Sequence, residues 1–173
     1  MSHIEEAKIA ILSLEAIERA LARVPGARLV HGQKTHKWYG QLVGDYPLPE
    51  GIDPAEMGKC EHAITLGDAV DVYGRPAYEI GLVKNKKGPG WILAYDFWGP
   101  GLLLQEKFGK NLSKLVDEYQ HEVIAEKARR AGYTVHRVDS PAAASKVNAR
   151  LLLSGKQKIT HQGKLLTVVE RSA

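Results

Sequence analysis

The chain has 173 residues, of which 44% are apolar and 25% charged, values typical of a globular protein and unlike those of a disordered one. Its net charge of +4 permits an anionic partner without requiring one, and its single cysteine excludes an intrachain disulfide, as expected for a reducing cytoplasm. With no signal-peptide pattern and no apolar run near the roughly 18 residues of a membrane span, we expect one cytoplasmic domain (residues 1–173) with no membrane partner.

The first part of the chain predicts a strand, a helix and a second strand. Apolar residues alternate over positions 4–12, which is the period of a strand. Ser13 is a suitable N-cap for a helix with an apolar stripe at helical spacing, and Pro25-Gly26 ends that helix. Residues 27–30 are apolar enough for the second strand.

Residues 40–76 carry four prolines and many glycines, and no period extends through them. Long stretches of this kind are uncommon inside compact domains and often act as functional loops. We therefore expect an irregular insertion over residues 40–76, with one short strand at residues 62–66.

The second half predicts a hairpin, a long helix and further strands. Two apolar runs, residues 77–83 and 91–95, flank a basic glycine-rich loop and indicate a β-hairpin. Residues 111–131 form an apolar stripe at helical spacing that ends before Gly132, which is suited to a helix C-terminus; the stripe consists of Leu112, Leu115, Val116, Tyr119 and Val123. A strand over 133–138, a short helix from Ser140-Pro141 to about residue 151 and a closing hairpin over 158–161 and 165–169 follow.

This order predicts an α+β protein. We expect an antiparallel sheet with helices on one face, in the form of a ferredoxin-like core with an irregular insertion and a C-terminal hairpin.

Two basic segments are candidates for binding a nucleic acid or another partner. They supply His31, Lys34, His36, Lys37, Trp38 and Tyr39 from one strip, and Lys84, Lys86 and Lys87 from the hairpin loop. Lysines can meet phosphates and aromatic rings can stack on bases, which is the mixture that single-strand binders use. The alternative is an ordinary solvated strip anchored by Trp38, and loop lysines that protect a sheet edge.

A metal or catalytic site has weaker support. Cys60 and His62 are two positions apart and could reach one metal from an extended segment, with Asp68 and Asp71 downstream, but a structural zinc site needs four ligands at recognisable spacing. Asp96, followed by two large rings, could act as an acid, although an aspartate that caps a turn is more common. We assign no catalytic residue, metal or cofactor, while a small hydrolase or metal enzyme around Cys60, His62 and Asp96 stays open.

Several segments resemble a known family through their order. They are the opening Met-Ser-His-Ile, Tyr78-Glu-Ile-Gly-Leu-Val83, the helix end Ala-Arg-Arg-Ala-Gly-Tyr-Thr-Val and the closing Leu-Leu-Thr-Val-Val-Glu-Arg. Together they resemble an uncharacterised family, a domain of unknown function typified by a hypothetical chloroplast reading frame of algal plastids and cyanobacteria. The Gly-Lys-Cys-Glu-His-Ala-Ile and Asp-Phe-Trp segments resemble relatives from other bacteria and large phages. The resemblance covers nearly the whole chain outside 34–56 and 140–156.

The resemblance implies no reaction, cofactor or catalytic residue. Bacterial members are often encoded beside an AAA-type ATPase, which implies an accessory role. The sequence therefore favours an accessory or adaptor protein that binds a protein partner, such as an AAA-type ATPase, without catalysis. A nucleic-acid-binding protein that uses the basic and aromatic strip is the alternative, and a small hydrolase or metal enzyme is the third.

Overall fold

The computed structural model of the protein describes residues 5–40, 56–138, 159–160 and 166–171. The helix predicted over residues 140–151 and the first part of the predicted insertion, residues 41–55, lie outside this part of the chain. The chain divides into two compact units, residues 1–116 and residues 117–173. The expectation of a single domain stays a prediction.

The first unit contains most of the strands and two short helices. Its strands are β1 Glu5–Ile11, β2 Arg28–His31, β3 His62–Thr65, β4 Ile80–Lys84 and β5 Trp91–Tyr95, and its helices are α1 Leu14–Leu21 and α2 Leu102–Phe108. Helix α1 begins where the sequence predicts, because the Ser13 hydroxyl accepts a hydrogen bond from the Ala16 N–H at 3.1 Å and satisfies a donor of the first turn.

The five strands form one antiparallel sheet in the order β1-β5-β4-β3-β2. Leu82 and Leu93 pair across β4 and β5 and are fully buried on one face. On the opposite face, Gly81 pairs with both Ala63 and Ala94, so three small residues lie side by side on neighbouring strands. This second face leaves room for another segment to pack closely against the sheet.

The second unit contains most of a long helix and a small sheet. Helix α3, Ser113–Arg130, is followed by Gly132, whose φ of 79° is the left-handed conformation that glycine adopts readily after a helix. Strands β6 Tyr133–Val138, β7 Ile159–Thr160 and β8 Leu166–Arg171 form an antiparallel sheet in the order β6-β8-β7. The guanidinium of Arg137 on β6 donates to the carboxylate of Glu118 on α3 at 2.7 Å.

The predicted α+β class with an antiparallel sheet is confirmed, and so is the pairing of the C-terminal strands. The ferredoxin-like form stays a prediction. Strand β3, which the sequence placed inside an insertion, is an inner strand between β2 and β4. At least this part of residues 40–76 therefore belongs to the sheet.

The helical region differs from the prediction in two details. Helix α2 was missed because its seven residues are too few to show a period, although Leu104 and Phe108, four positions apart, are fully buried. The long helix begins at Ser113 rather than residue 111, because Asn111 and Leu112 have positive φ angles of 53° and 55°. Of the predicted stripe, Leu112, Leu115 and Tyr119 are buried, while Val116 and Val123 are half-buried.

Candidate functional site

The basic and aromatic strip, residues 31–39, is held by backbone hydrogen bonds on two sides. The His36 N–H donates to the Gly58 carbonyl at 2.8 Å, and the Glu79 N–H donates to the Lys37 carbonyl at 2.9 Å. These bonds fix which side chains of the strip point inward. The strip is consequently fixed to the folded unit at His36 and Lys37.

The six candidate residues of the strip do not share one environment. His31, Lys34, Lys37 and Tyr39 are exposed, Trp38 is half-buried and His36 is buried. The Trp38 indole lies against Gly58, where an added Cβ would come within 2.4 Å of the indole nitrogen. Because this ring packs on the backbone, it is poorly placed to stack on a base.

His36 lies inside the unit, with only 5% of its surface exposed. Its ring covers Gly81, since a Cβ on that glycine would lie 2.4 Å from the His36 Nδ1. Burial lowers the pKa of His36 to about 4, and the backbone of Gly58 opposes this only in part. His36 is therefore a neutral packing residue near pH 7 and brings no positive charge to a ligand.

A second buried group, the Glu79 carboxylate, is bound to the strip through one of its oxygens. Its Oε2 accepts hydrogen bonds from Gln33 Nε2 at 2.8 Å and from the Lys37 N–H at 2.9 Å. The nearby Cys60 thiol donates to the Gln33 carbonyl at 3.2 Å. Burial, followed by the charge of Glu79, raises the pKa of Cys60 to about 11, so the thiol is protonated near pH 7 and is a weak nucleophile.

The remaining candidates for catalysis have structural contacts. The Asp96 carboxylate is buried, and its Oδ1 accepts a hydrogen bond from the Trp98 N–H at 2.8 Å, which is the geometry of an aspartate that caps a turn. Asp68 is exposed. Across the described ranges, no three His, Cys, Asp or Glu side chains are grouped so that they could hold a metal ion.

One surface of the sheet carries what we name the histidine–tryptophan row, which consists of His31, His62, Lys84 and Trp91. Successive rings are in edge-to-face contact, with 5.3 Å between the centroids of His31 and His62 and 5.3 Å between those of His62 and Trp91. The Lys84 ammonium lies 5.4 Å from the Trp91 centroid. The row lies on the same side of the sheet as Leu82 and consists of one residue from each of β2, β3, β4 and β5.

Carboxylates are interleaved with this row. The Glu18 carboxylate lies 2.7 Å from His31 Nε2, and Glu61 accepts a hydrogen bond from the Trp91 indole at 2.6 Å. In the hairpin loop, Lys86 is paired with Glu56 at 2.7 Å, while Lys87 is exposed beside it. The row and the loop therefore have mixed charge rather than one continuous basic patch.

A second surface begins at a tight hairpin between β3 and β4. The Asp71 Oδ1 accepts hydrogen bonds from the N–H groups of Tyr73 and Arg75, both at 2.9 Å, and its Oδ2 accepts the Arg75 Nε–H at 2.7 Å. Val70 and Pro76 form an isolated bridge below this turn. The tip is held by these bonds to Asp71, although Val72 and Tyr73 at the tip are 92% and 80% exposed.

The hairpin continues into a group of aromatic rings. Tyr39 and Trp98 meet edge to face, with their centroids 4.6 Å apart. A Cβ on Gly99 would lie 3.8 Å from Arg75 Nη2 and 4.0 Å from the Tyr78 hydroxyl, so these groups surround one point of the backbone. The Arg75 guanidinium in turn lies 5.2 Å from the Tyr73 centroid. We name this set, Tyr39, Tyr73, Arg75, Tyr78 and Trp98, the aromatic surface.

Sequence reasoning found only part of these two surfaces. It selected Tyr39 by its place in the strip, but it did not select Tyr73, Arg75 or Trp91. A signal was present at the hairpin, because Asp71 and Gly74 stand at the first and fourth positions favoured in a β-turn, and the two residues between them are large and apolar.

Comparison with known proteins identifies no relative. No protein-family model matches the chain, and neither a curated protein nor a solved structure matches it. No helix within the described residues is long and apolar enough to cross a membrane.

Proposed function

We propose that the protein is an accessory or adaptor protein that binds a protein partner through the aromatic surface and catalyses no reaction. The observation that supports it is the grouping of three tyrosines, a tryptophan and an arginine on one surface, with an exposed hydrogen-bonded tip at its edge. Tyrosine, tryptophan and arginine are the residues most enriched among those that dominate binding energy at protein interfaces. A preformed tip also loses little conformational entropy on binding.

The state of the reactive groups supports binding over catalysis. The Cys60 thiol is held protonated, and the Glu79 and Asp96 carboxylates each accept hydrogen bonds from the backbone. A nucleophile needs an adjacent base or a lowered pKa, and Cys60 has a raised one. The third hypothesis, a small hydrolase or metal enzyme, therefore has the least support.

The resemblance described above adds the class of partner and the setting. It implies an accessory or adaptor role with a protein partner such as an AAA-type ATPase, and the composition favours the cytoplasm. The single cysteine, buried and free, fits a reducing compartment. The proposal keeps this partner class and involves no membrane.

The test is affinity purification of the tagged protein from its own host, with and without nuclease. A variant with Trp98→Ala and Tyr73→Ala should lose the partner, since an interface hot spot carries about 2 kcal/mol or more, roughly thirtyfold in affinity. A Trp91→Ala variant is the matched control, because it removes a ring of similar size from the other surface. A partner that is retained equally by all variants would refute the proposal.

A second candidate function, nucleic-acid binding, is favoured by the histidine–tryptophan row. Rings on neighbouring strands of an antiparallel sheet, with Lys84 and Lys34 nearby, resemble the stacking platforms that proteins present to single strands. Of the sequence candidates, His31 and Lys84 belong to the histidine–tryptophan row, whereas Trp38 contacts Gly58, His36 contacts Gly81 and Tyr39 contacts Trp98.

The interleaved carboxylates make strong binding unfavourable, so we expect feeble binding of oligonucleotides at physiological salt. Any binding should fall steeply with salt and weaken in a Trp91→Ala variant but not in Trp98→Ala. Replacing Lys84, Lys86 and Lys87 together should flatten the salt dependence by up to about three phosphate contacts. Tight single-strand binding that depends on Trp91 would place this candidate first.

A further inference from the structure

The aromatic surface offers hydrogen-bond donors that nothing in the described part of the chain uses. The hydroxyl groups of Tyr39, Tyr73 and Tyr78 and the indole N–H of Trp98 make no side-chain hydrogen bond there. Burial, followed by the charge of Asp96, raises the pKa of Tyr78, so its hydroxyl stays protonated and able to donate. The surface therefore combines apolar ring faces with unused donors.

The carboxylates of the same region already accept hydrogen bonds from the chain itself. Asp71 accepts three hydrogen bonds from Tyr73 and Arg75, and Asp96 accepts one from the Trp98 N–H. The charge of Arg75 is compensated by Asp71 at 2.7 Å. A ligand that supplies acceptors and apolar rings therefore suits this surface, and it needs no negative charge.

Few segments of a partner have that chemistry. A helix satisfies its own backbone groups, and an added strand needs donors and acceptors in equal number from a sheet edge. A phosphate backbone needs uncompensated cations. A polyproline II segment has unpaired carbonyl groups along its whole length, and each proline contributes an apolar ring and lacks an N–H.

We propose that the aromatic surface binds a proline-rich segment of the partner in the polyproline II conformation. The proposal rests on the proposed function and specifies its ligand. The rings of Tyr39 and Trp98 stand 72° apart, so their outer faces form an angular wall on which pyrrolidine rings pack. The Trp98 indole and the tyrosine hydroxyls donate to the carbonyls of the segment, in the manner of other aromatic surfaces that bind such segments.

The probe is a decaproline peptide with blocked ends, and the control is a glycine–serine peptide of the same length. Titration is followed through the indole N–H signals of the three tryptophans in a ¹H–¹⁵N spectrum. The Trp98 signal should shift saturably with decaproline alone. The signals of Trp38, packed on Gly58, and of Trp91, bonded to Glu61, should stay in place.

Two substitutions separate ring packing from donation. Trp98→Ala should weaken decaproline binding at least tenfold, in line with hot-spot losses of about 2 kcal/mol. Tyr39→Phe keeps the ring and removes the hydroxyl, so a loss of about fivefold tests the donor argument without disturbing the fold. Trp91→Phe should leave the affinity unchanged.

No saturable shift of Trp98 up to several millimolar peptide, an equal response to the glycine–serine peptide, or a shift of Trp91 in its place would each overturn the proposal. Its failure can be told apart from failure of the proposed function. If decaproline does not bind and the host partner is still lost with Trp98→Ala, only the ligand class is wrong. If the partner is retained as well, both proposals fail.

Discussion

The histidine–tryptophan row and the aromatic surface are both formed by residues of the first unit, yet their polar atoms are used differently. In the row, the Glu18 carboxylate pairs with the ring of His31, and the Glu61 carboxylate accepts a hydrogen bond from the Trp91 indole. In the aromatic surface, the carboxylates bind backbone amides and Arg75, and the described residues supply no side-chain hydrogen bond to the ring donors. Exposure of aromatic rings alone therefore does not identify a binding surface. The hydrogen-bond balance around the rings distinguishes one that is internally satisfied from one that needs a partner.

The largest expected effect concerns the core of the first unit, to which the residues of both surfaces belong. Leu115 is fully buried, so Leu115→Ala should lower the free energy of unfolding by about 2–5 kcal/mol. Fluorine labels on Trp91 and Trp98, followed through urea unfolding, should report one transition for the two surfaces. Leu102→Ala is the control, because Leu102 is 59% exposed and should cost less than about 0.5 kcal/mol. Two separate transitions would show that the surfaces belong to different cooperative units.

The next effect concerns the buried ring of His36, which belongs to the same strip, residues 31–39, as Tyr39. The pKa of His36 is lowered from 6.5 to about 4, so the folded state favours the neutral ring. The neutral His36 ring therefore contributes about 3 kcal/mol to the free energy of unfolding above pH 6.5. This contribution is lost as the pH falls from 6.5 through the folded pKa of about 4. Urea titrations between pH 7 and pH 4 should show this loss, and His36→Leu should remove it. An equal pH slope in both proteins would contradict the assignment.

A smaller effect concerns the contact between the His36 ring and Gly81 of strand β4. Gly81→Ala places a Cβ 2.4 Å from His36 Nδ1, so we expect a loss of about 1–3 kcal/mol from overpacking. In a His36→Ala background the same change should cost much less, because the clashing ring is gone. Thermal unfolding of the four proteins of this cycle measures the coupling. Additive costs would mean that the ring moves aside freely and does not position the strip.

The sequence predicted the class and most elements because those depend on local period. The Ser13 cap and the stripe containing Leu115 are encoded by nearby residues. Strand β3 was recognised as a strand but not as an inner one, because its neighbours β2 and β4 are chosen by long-range pairing. Composition alone could not place the seven-residue helix α2.

The candidate surfaces were harder to predict for the same reason. The strip reads as one basic and aromatic cluster, yet His36 is directed onto Gly81, a residue 45 positions away that has no side chain to reveal the contact. Tyr39 and Trp98 meet only because two distant segments pass beside each other. The rings are visible in the sequence, but which of their polar atoms remain unused depends on the packing.

The smallest effect separates the two surfaces by pH. In the row, the His62 Nδ1 accepts a hydrogen bond from the Gly32 N–H at 3.2 Å, and protonation of that nitrogen would break the bond. Burial, then the charge of His31, lowers the pKa of His62 from 6.5, so the Gly32 amide should lose its bond only below that pH.

At the hairpin, the corresponding acceptor is a carboxylate. Although burial by itself raises the pKa of Asp71, hydrogen bonds from Arg75 and Tyr73 together lower that pKa below its ordinary value of 3.8. The bonds to Asp71 are therefore present above pH 3.8 and lost as pH falls through the lowered pKa.

Amide proton shifts between pH 7 and pH 3 should change first for Gly32, while those of Tyr73 and Arg75 stay constant until the carboxyl is protonated. Asp71→Ala should give the low-pH shifts of Tyr73 and Arg75 already at pH 7 and leave Gly32 unchanged. If all three amides titrate together, the row and the aromatic surface are not electrostatically independent, and the contrast between them fails.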